Sequence, residues 1–252
     1  MVKLTVNSSK TCLITGASRG IGAATARRMA GAGYHVFINY RTNHADAAAL
    51  VRGIRENGES AEAICADVTD KESVRAMFES VSARYEKLDV LVHNAAIPLV
   101  PQRVLDLDWA RDVQPQIEVN VAGFLNVVQA ANRLLASDSG IIVLLTDALF
   151  HTPPVQMGAY LAAKGALWGL ARAVAKELRN RGVRVNTVSP SMVDTELLGN
   201  YPERAREIFA QTHPLGRLAT ADEVASVVTA IATEAGSYLN CANIIVNGGA
   251  EM

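Results

Sequence analysis

Eight consecutive residues, Thr15-Gly16-Ala17-Ser18-Arg19-Gly20-Ile21-Gly22, constrain this chain more than any other feature. They join an apolar run at residues 11–15 to an amphipathic stretch at 20–32. Three glycines in such a connection let the backbone turn sharply and come close to a ligand. A helix opening on them aims unpaired N–H groups and the positive end of its dipole at that ligand, which suits a phosphate. A bare glycine pattern also arises as an ordinary turn, but strand, loop and helix together point to a bound nucleotide.

The same alternation continues downstream. Short apolar runs at 35–39, 61–65, 88–92, 140–146, 183–188 and 243–246 read as strands, making seven with the first. Helical stretches at 20–32, 44–57, 70–85, 111–136, 157–180 and 221–234 lie between them, each ended by Gly, Asn or a short polar turn. Strands alternating with helices predict an α/β fold, a doubly wound seven-stranded parallel sheet with helices on both faces. Half of the 252 residues are hydrophobic and only 5% aromatic, a mix that suits helices packed closely on a parallel sheet. No linker or repeat interrupts the pattern, so residues 1–252 read as a single domain. One stretch breaks the rhythm: residues 191–217 carry Pro202, His213, Pro214 and Gly216 around a short helical segment. It reads as a substrate lid over the strand ends, sharing control of selectivity with the loop at 98–109.

Charge excludes some partners. With 24 basic and 25 acidic side chains the net charge is -1, which gives no general attraction to nucleic acid or anionic lipid. The amino terminus lacks the pattern of a signal peptide and no uncharged apolar run reaches about 18 residues, so a cytoplasmic protein is expected. Cys12, Cys65 and Cys241 stand apart among apolar neighbours and read as buried free thiols. The five histidines, His93 and His151 among them, show no ligand spacing, so no metal site is expected.

Further motifs follow the glycine loop: Asp67-Val68, Asn94-Ala95-Ala96, Asn120, Tyr160 with Lys164, Pro190 to Thr195, and Val246-Asn247-Gly248-Gly249. Together they resemble the short-chain dehydrogenase/reductase family over nearly the whole chain. The resemblance implies a Rossmann fold and a nicotinamide cofactor. By it, Gly16, Ser18, Arg19, Gly20, Ile21 and Gly22 hold the pyrophosphate, Asp67 and Val68 hold the adenine, and Asn94, Ala95 and Ala96 brace the loop under the nicotinamide ribose. Pro190, Val193 and Thr195 hold the carboxamide, with the family's Pro-Gly appearing here as Pro190-Ser191. An enzyme using NAD would carry an acid at the end of the second strand. Here that place is Tyr40, followed by Arg41. With no carboxylate to repel a 2′-phosphate, and with Arg41 and Arg19 able to fork onto it, NADPH is the expected cofactor.

Tyr160 and Lys164 are four residues apart on a predicted helix and share a face. By resemblance they are the catalytic pair, with Lys164 holding the ribose and lowering the phenol pKa so that Tyr160 passes a proton near neutral pH. Asn120 would kink its helix and place a relay water. The family's catalytic Ser lies thirteen residues before the Tyr, and that position is Asp147. A neutral Asp147 can donate to the substrate carbonyl, whereas an ionised one repels the developing oxyanion. Thr146 offers a hydroxyl, but neighbours on a strand point to opposite faces, so it serves only if the register slips by one. Three readings follow: a reductase using a neutral Asp147, a reductase of altered substrate chemistry, and a noncatalytic NADPH-binding subunit of a hetero-oligomer. Met157 and Trp168 read as packing. Pro214-Leu215-Gly216-Arg217-Leu218 and the carboxyl-terminal motif are most like 3-oxoacyl-[acyl-carrier-protein] reductases, which implies an acyl-thioester substrate. Arg172, Arg179 and Arg181 would then form a patch for an acidic acyl carrier protein. The resemblance further implies a homotetramer built from the helices at 111–136 and 157–180 and the last strand.

Overall fold

The structure, a computed structural model, describes residues 10–151, 154–199, 201 and 203–250. The amino-terminal residues 1–9 and the predicted lid proline Pro202 lie outside them. Seven strands form one sheet: β1 (Thr11–Ile14), β2 (His35–Tyr40), β3 (Ala61–Cys65), β4 (Val90–His93), β5 (Gly140–Leu144), β6 (Arg184–Pro190) and, after two short strands, β9 (Asn243–Val246). Their order is β3-β2-β1-β4-β5-β6-β9, with every pairing parallel. The chain winds outward from β1 in one direction through β3, then crosses back to β4 and continues the other way. The reversal leaves a crevice at the carboxyl ends of β1 and β4, where such sheets bind ligands.

Strand alternation builds the two faces. Cys12 and Ile14 of β1 meet α1 (Gly20–Gly31), α2 (His44–Glu56) and α8 (Ala221–Ala232). Leu13 points the other way, toward α3 (Lys71–Ser82), α5 (Gly123–Ala131) and α6 (Gly158–Leu178). Both faces of the central strands are therefore apolar, as a parallel sheet covered by helices requires. Fully buried Phe37 and Phe124 sit in the second layer, and burial of each stabilises the fold by roughly 1.5–3 kcal/mol.

The predicted helix at 111–136 is instead a succession of pieces. A π-turn at Trp109–Val113 leads into α4 (Gln114–Ile117), and a second at Glu118–Ala122 leads into α5, which ends at Ala131. Asn120 Nδ2 donates to the Gln116 carbonyl at 2.9 Å, entering the helical ladder, which is a physical cause for the widened turn. β5 stops at Leu144, two residues earlier than predicted, while β6 runs on to Pro190. The thiols are free as expected, but only Cys12 is buried: Cys65 and Cys241 are exposed, because each sits where the sheet gives out into a loop.

Residues 193–220 leave the sheet as a closed excursion. Its ends are pinned by β7 (Val193–Asp194) pairing with β8 (Ala219–Thr220). Between them α7 (Glu203–Thr212) supplies the predicted short helix. Thr220 and Glu223 close the base with a capping box at the start of α8.

Candidate active site

The glycine loop is knitted to the end of β4. Asn94 Nδ2 donates to the carbonyls of Thr15 and Gly16 at 3.0 and 2.9 Å, and the Thr15 hydroxyl accepts from the backbone N–H groups of Asn94 and Ala95. Gly16 and Gly20 have φ of 61° and 57°, the left-handed region that glycine alone enters cheaply. A methyl on Gly22 would lie 2.6 Å from Asn94 Nδ2, so a side chain there would unseat the brace. No side chain caps α1, so its first N–H groups are left for a ligand. The cleft beside the loop is lined by Gly16, Ser18, Arg19, Arg41, Asp67 and Val68, among others. Tyr40 closes the end of β2, its hydroxyl 2.8 Å from His44 Nδ1. Asp67 Oδ1 accepts from the Thr69 N–H and hydroxyl, and Oδ2 lies 3.8 Å from Arg41 Nη1. These residues fit a dinucleotide phosphate: a braced glycine loop, an uncapped helix end and two guanidinium groups in one cleft.

At the far side of the loop Ile21, Asn94 and Ala96 border a cavity of about 370 Å3 that also takes in Pro190, Val193 and Thr195. Tyr160 and Lys164 line it one turn apart on α6, beside Thr146 and Asp147. Lys164 is buried, and its Nζ donates to the Leu144 carbonyl at 2.9 Å and lies 5.7 Å from the centre of the Tyr160 ring. Burial lowers its pKa to about 8. The phenol of Tyr160 is pushed up to about 12 by burial and then by the Asp147 charge, against a hydrogen bond from Thr146 that draws it down. The expectation that Lys164 brings Tyr160 toward neutrality is therefore not met in the protein alone, because desolvation prevails. Asn120 is fully buried in its π-turn with Oδ1 unpartnered, and the neighbouring His93 has an unpartnered Nε2. Burial, followed by the charge of Lys164, drives the His93 pKa down to about 3, so this ring stays neutral.

Apolar side chains form the rest of the wall. Leu99 comes from the 98–109 loop, and Leu198, Tyr201, Ile208 and Phe209 come from the excursion. Met157 lines the cavity too, which corrects its reading as packing, because it stands just before the first turn of α6. Trp168 does pack, edge-on to Phe150 and under Arg172. Ser191 is buried in this wall with its hydroxyl unpartnered. Ser191 entered the sequence reading only as a departure from the family's Pro-Gly and Met157 only as packing, since their place on this wall depends on how two loops fold over the strand ends. Of the three predicted docking arginines, Arg181 is occupied by the backbone carbonyls of Asn132 and Leu135. Arg172 and Arg179 border a shallow surface hollow. Among the described residues no group of His, Cys, Asp and Glu is arranged to hold a metal.

A family model described as Enoyl-(Acyl carrier protein) reductase matches residues 16–251. The chain belongs to the short-chain dehydrogenase/reductase family. It is accordingly an oxidoreductase. It is 33% identical to a 3-oxoacyl-[acyl-carrier-protein] reductase of Staphylococcus aureus over 247 residues, covering 97% of this chain and 99% of that one. Identity to the cis-4-hydroxycyclohexanecarboxylate dehydrogenase of Sinomonas cyclohexanicum is 36%, covering 96% of each. Among solved structures, a short-chain dehydrogenase of Burkholderia cenocepacia in complex with NADP superposes with a TM-score of 0.88 at 33% identity, covering 95% of this chain and 97% of that one. Short-chain dehydrogenase/reductase membership explains why glycine loop and Tyr-Lys pair face one another across the carboxyl end of the sheet.

Proposed function

We propose that this chain is an NADPH-dependent ketoreductase acting on the carbonyl of an apolar substrate, a 3-oxoacyl thioester of fatty-acid or polyketide type. One observation carries this reading: a phosphate-ready glycine cleft runs directly into an apolar cavity with Tyr160 and Lys164 on its wall. Gly16 to Gly22, Asn94, Asp67, Pro190, Val193 and Thr195 would hold the cofactor, and Arg41 with Arg19 would meet its 2′-phosphate. The B. cenocepacia relative's complex with NADP supports this choice. When bound, NADPH supplies the hydride. Tyr160 Oη passes its proton to the carbonyl oxygen, and Lys164 fixes the ribose edge beside it. Asn120, in its π-turn, orders the water that returns a proton from solvent. The segment 146–147 contributes the second contact to the carbonyl oxygen. The apolar wall favours an acyl chain over a small polar ketone.

In this reading the chain acts in the cytoplasm as one domain whose 191–217 lid screens the substrate, and as a homotetramer. An acidic carrier protein would approach Arg172 and Arg179. Asp147 alone motivates the second reading, a subunit that binds NADPH without turning over. The test combines calorimetry with turnover. NADPH is expected to bind at least about tenfold more tightly than NADH, because a charge-assisted contact contributes roughly 1.5–3 kcal/mol. A panel of 3-oxoacyl thioesters is expected to support NADPH oxidation. Equal affinities would contradict the cofactor assignment, and binding without oxidation would favour the second reading.

A further inference from the structure

We propose that Thr146, the residue before the family's serine position, is the catalytic hydroxyl of this chain: its Oγ1 and Tyr160 Oη together donate to the substrate's carbonyl oxygen. The inference rests on the ketoreductase reading and assigns a residue within it. Strand alternation argues against Thr146 only while the strand lasts. β5 ends at Leu144, and the backbone turns into a short helical turn at Asp147–Leu149 immediately after Thr146. Thr146 itself stays extended, with φ -153° and ψ 144°, and the turn that begins at Asp147 leaves both side chains lining the cavity, along with Tyr160 and Lys164. Thr146 is only 8% exposed. Its hydroxyl shares the cavity wall with the Tyr160 phenol and draws the phenol pKa down, so an incoming carbonyl oxygen can accept from both groups at one point.

Chemistry favours the hydroxyl over the carboxyl. A threonine hydroxyl carries its proton throughout the working pH range, whereas a carboxyl donates only while protonated and repels a developing alkoxide once ionised. Asp147 is the less buried of the two and acts on Tyr160 as a negative charge. In the resulting step hydride adds to the carbonyl carbon, and the C=O π-electron pair moves to oxygen. That oxygen takes the Tyr160 proton, and the phenol regains one from solvent. Thr146 and Asp147 exchange no proton.

The test compares Thr146→Val, Thr146→Ser and Asp147→Ala with the wild type. The probes are acetoacetyl-coenzyme A and 4-oxocyclohexanecarboxylate, and kcat, KM and the NADPH dissociation constant are measured across pH. Thr146→Val is expected to lose about 100-fold in kcat, the usual cost of one oxyanion donor, with NADPH affinity within about threefold. Thr146→Ser keeps the hydroxyl and is expected to recover most of that loss. Asp147→Ala is expected to shift the alkaline limb of the pH profile and to cost less than Thr146→Val. Should Thr146→Val fail to melt cooperatively, Thr146→Ala carries the same comparison. Full kcat in a folded Thr146→Val or Thr146→Ala protein overturns the assignment, as does a collapse of kcat in Asp147→Ala alone. A wild type that binds NADPH but reduces neither probe overturns the ketoreductase reading itself, and this proposal with it.

Discussion

Lys164 is the residue at which stability and chemistry conflict most openly. Its ammonium is buried against one carbonyl, and its pKa is lowered from 10.5 to about 8. The unfolded chain therefore binds the proton more tightly, and stability of the cofactor-free protein should rise with pH between about 8 and 10.5. At neutral pH the cost of burying this charge is about 3 kcal/mol. Lys164→Met should accordingly stabilise the cofactor-free protein against urea at pH 7 while removing activity. A destabilised methionine variant would mean that the ammonium is favourably held before NADPH arrives. The Tyr160–Lys164 pair was legible in the sequence because both lie on a single helix at four-residue spacing. The pKa of Tyr160 was not, because it depends on desolvation by segments far away in the chain.

At the scale of elements, the sheet and most helices could be read from apolar periodicity, since the central strands are buried on both faces and most long helices on one. The π-turn around Asn120 escaped that reading: it keeps the apolar residues and changes only the turn, through a side-chain bond to Gln116. The glycine loop gives the sharpest prediction here. Gly22→Ala would place a methyl 2.6 Å from Asn94 Nδ2 and displace the brace that holds the Thr15 and Gly16 carbonyls. NADPH affinity should fall by about tenfold or more in a protein that still folds, as measured by calorimetry and circular dichroism. Unchanged affinity would mean that Asn94 does not shape the loop.

Across the whole molecule, strand–helix alternation dictated a doubly wound sheet, and the reversal of strand order fixed where the ligand cleft must lie. The folded excursion was legible only as an interruption, because its short strand pair and apolar lining depend on contacts among segments far apart in the chain. Ile245 on the last strand is 40% exposed, apolar surface on one of the elements that the proposed tetramer would cover. Light scattering at micromolar concentration should therefore give about four times the chain mass, and a monomer would contradict that assembly. In the proposed reaction this fold joins NADPH and a ketone at Tyr160. The most direct measurement is NADPH oxidation with a 3-oxoacyl thioester by the wild type and by Tyr160→Phe, with NADPH binding measured on both. The expected result is wild-type turnover, a loss of about 100-fold or more in the phenylalanine variant, and cofactor affinities within about threefold of one another. Full turnover by Tyr160→Phe, or a wild type that binds NADPH and oxidises none of it, would contradict the claim.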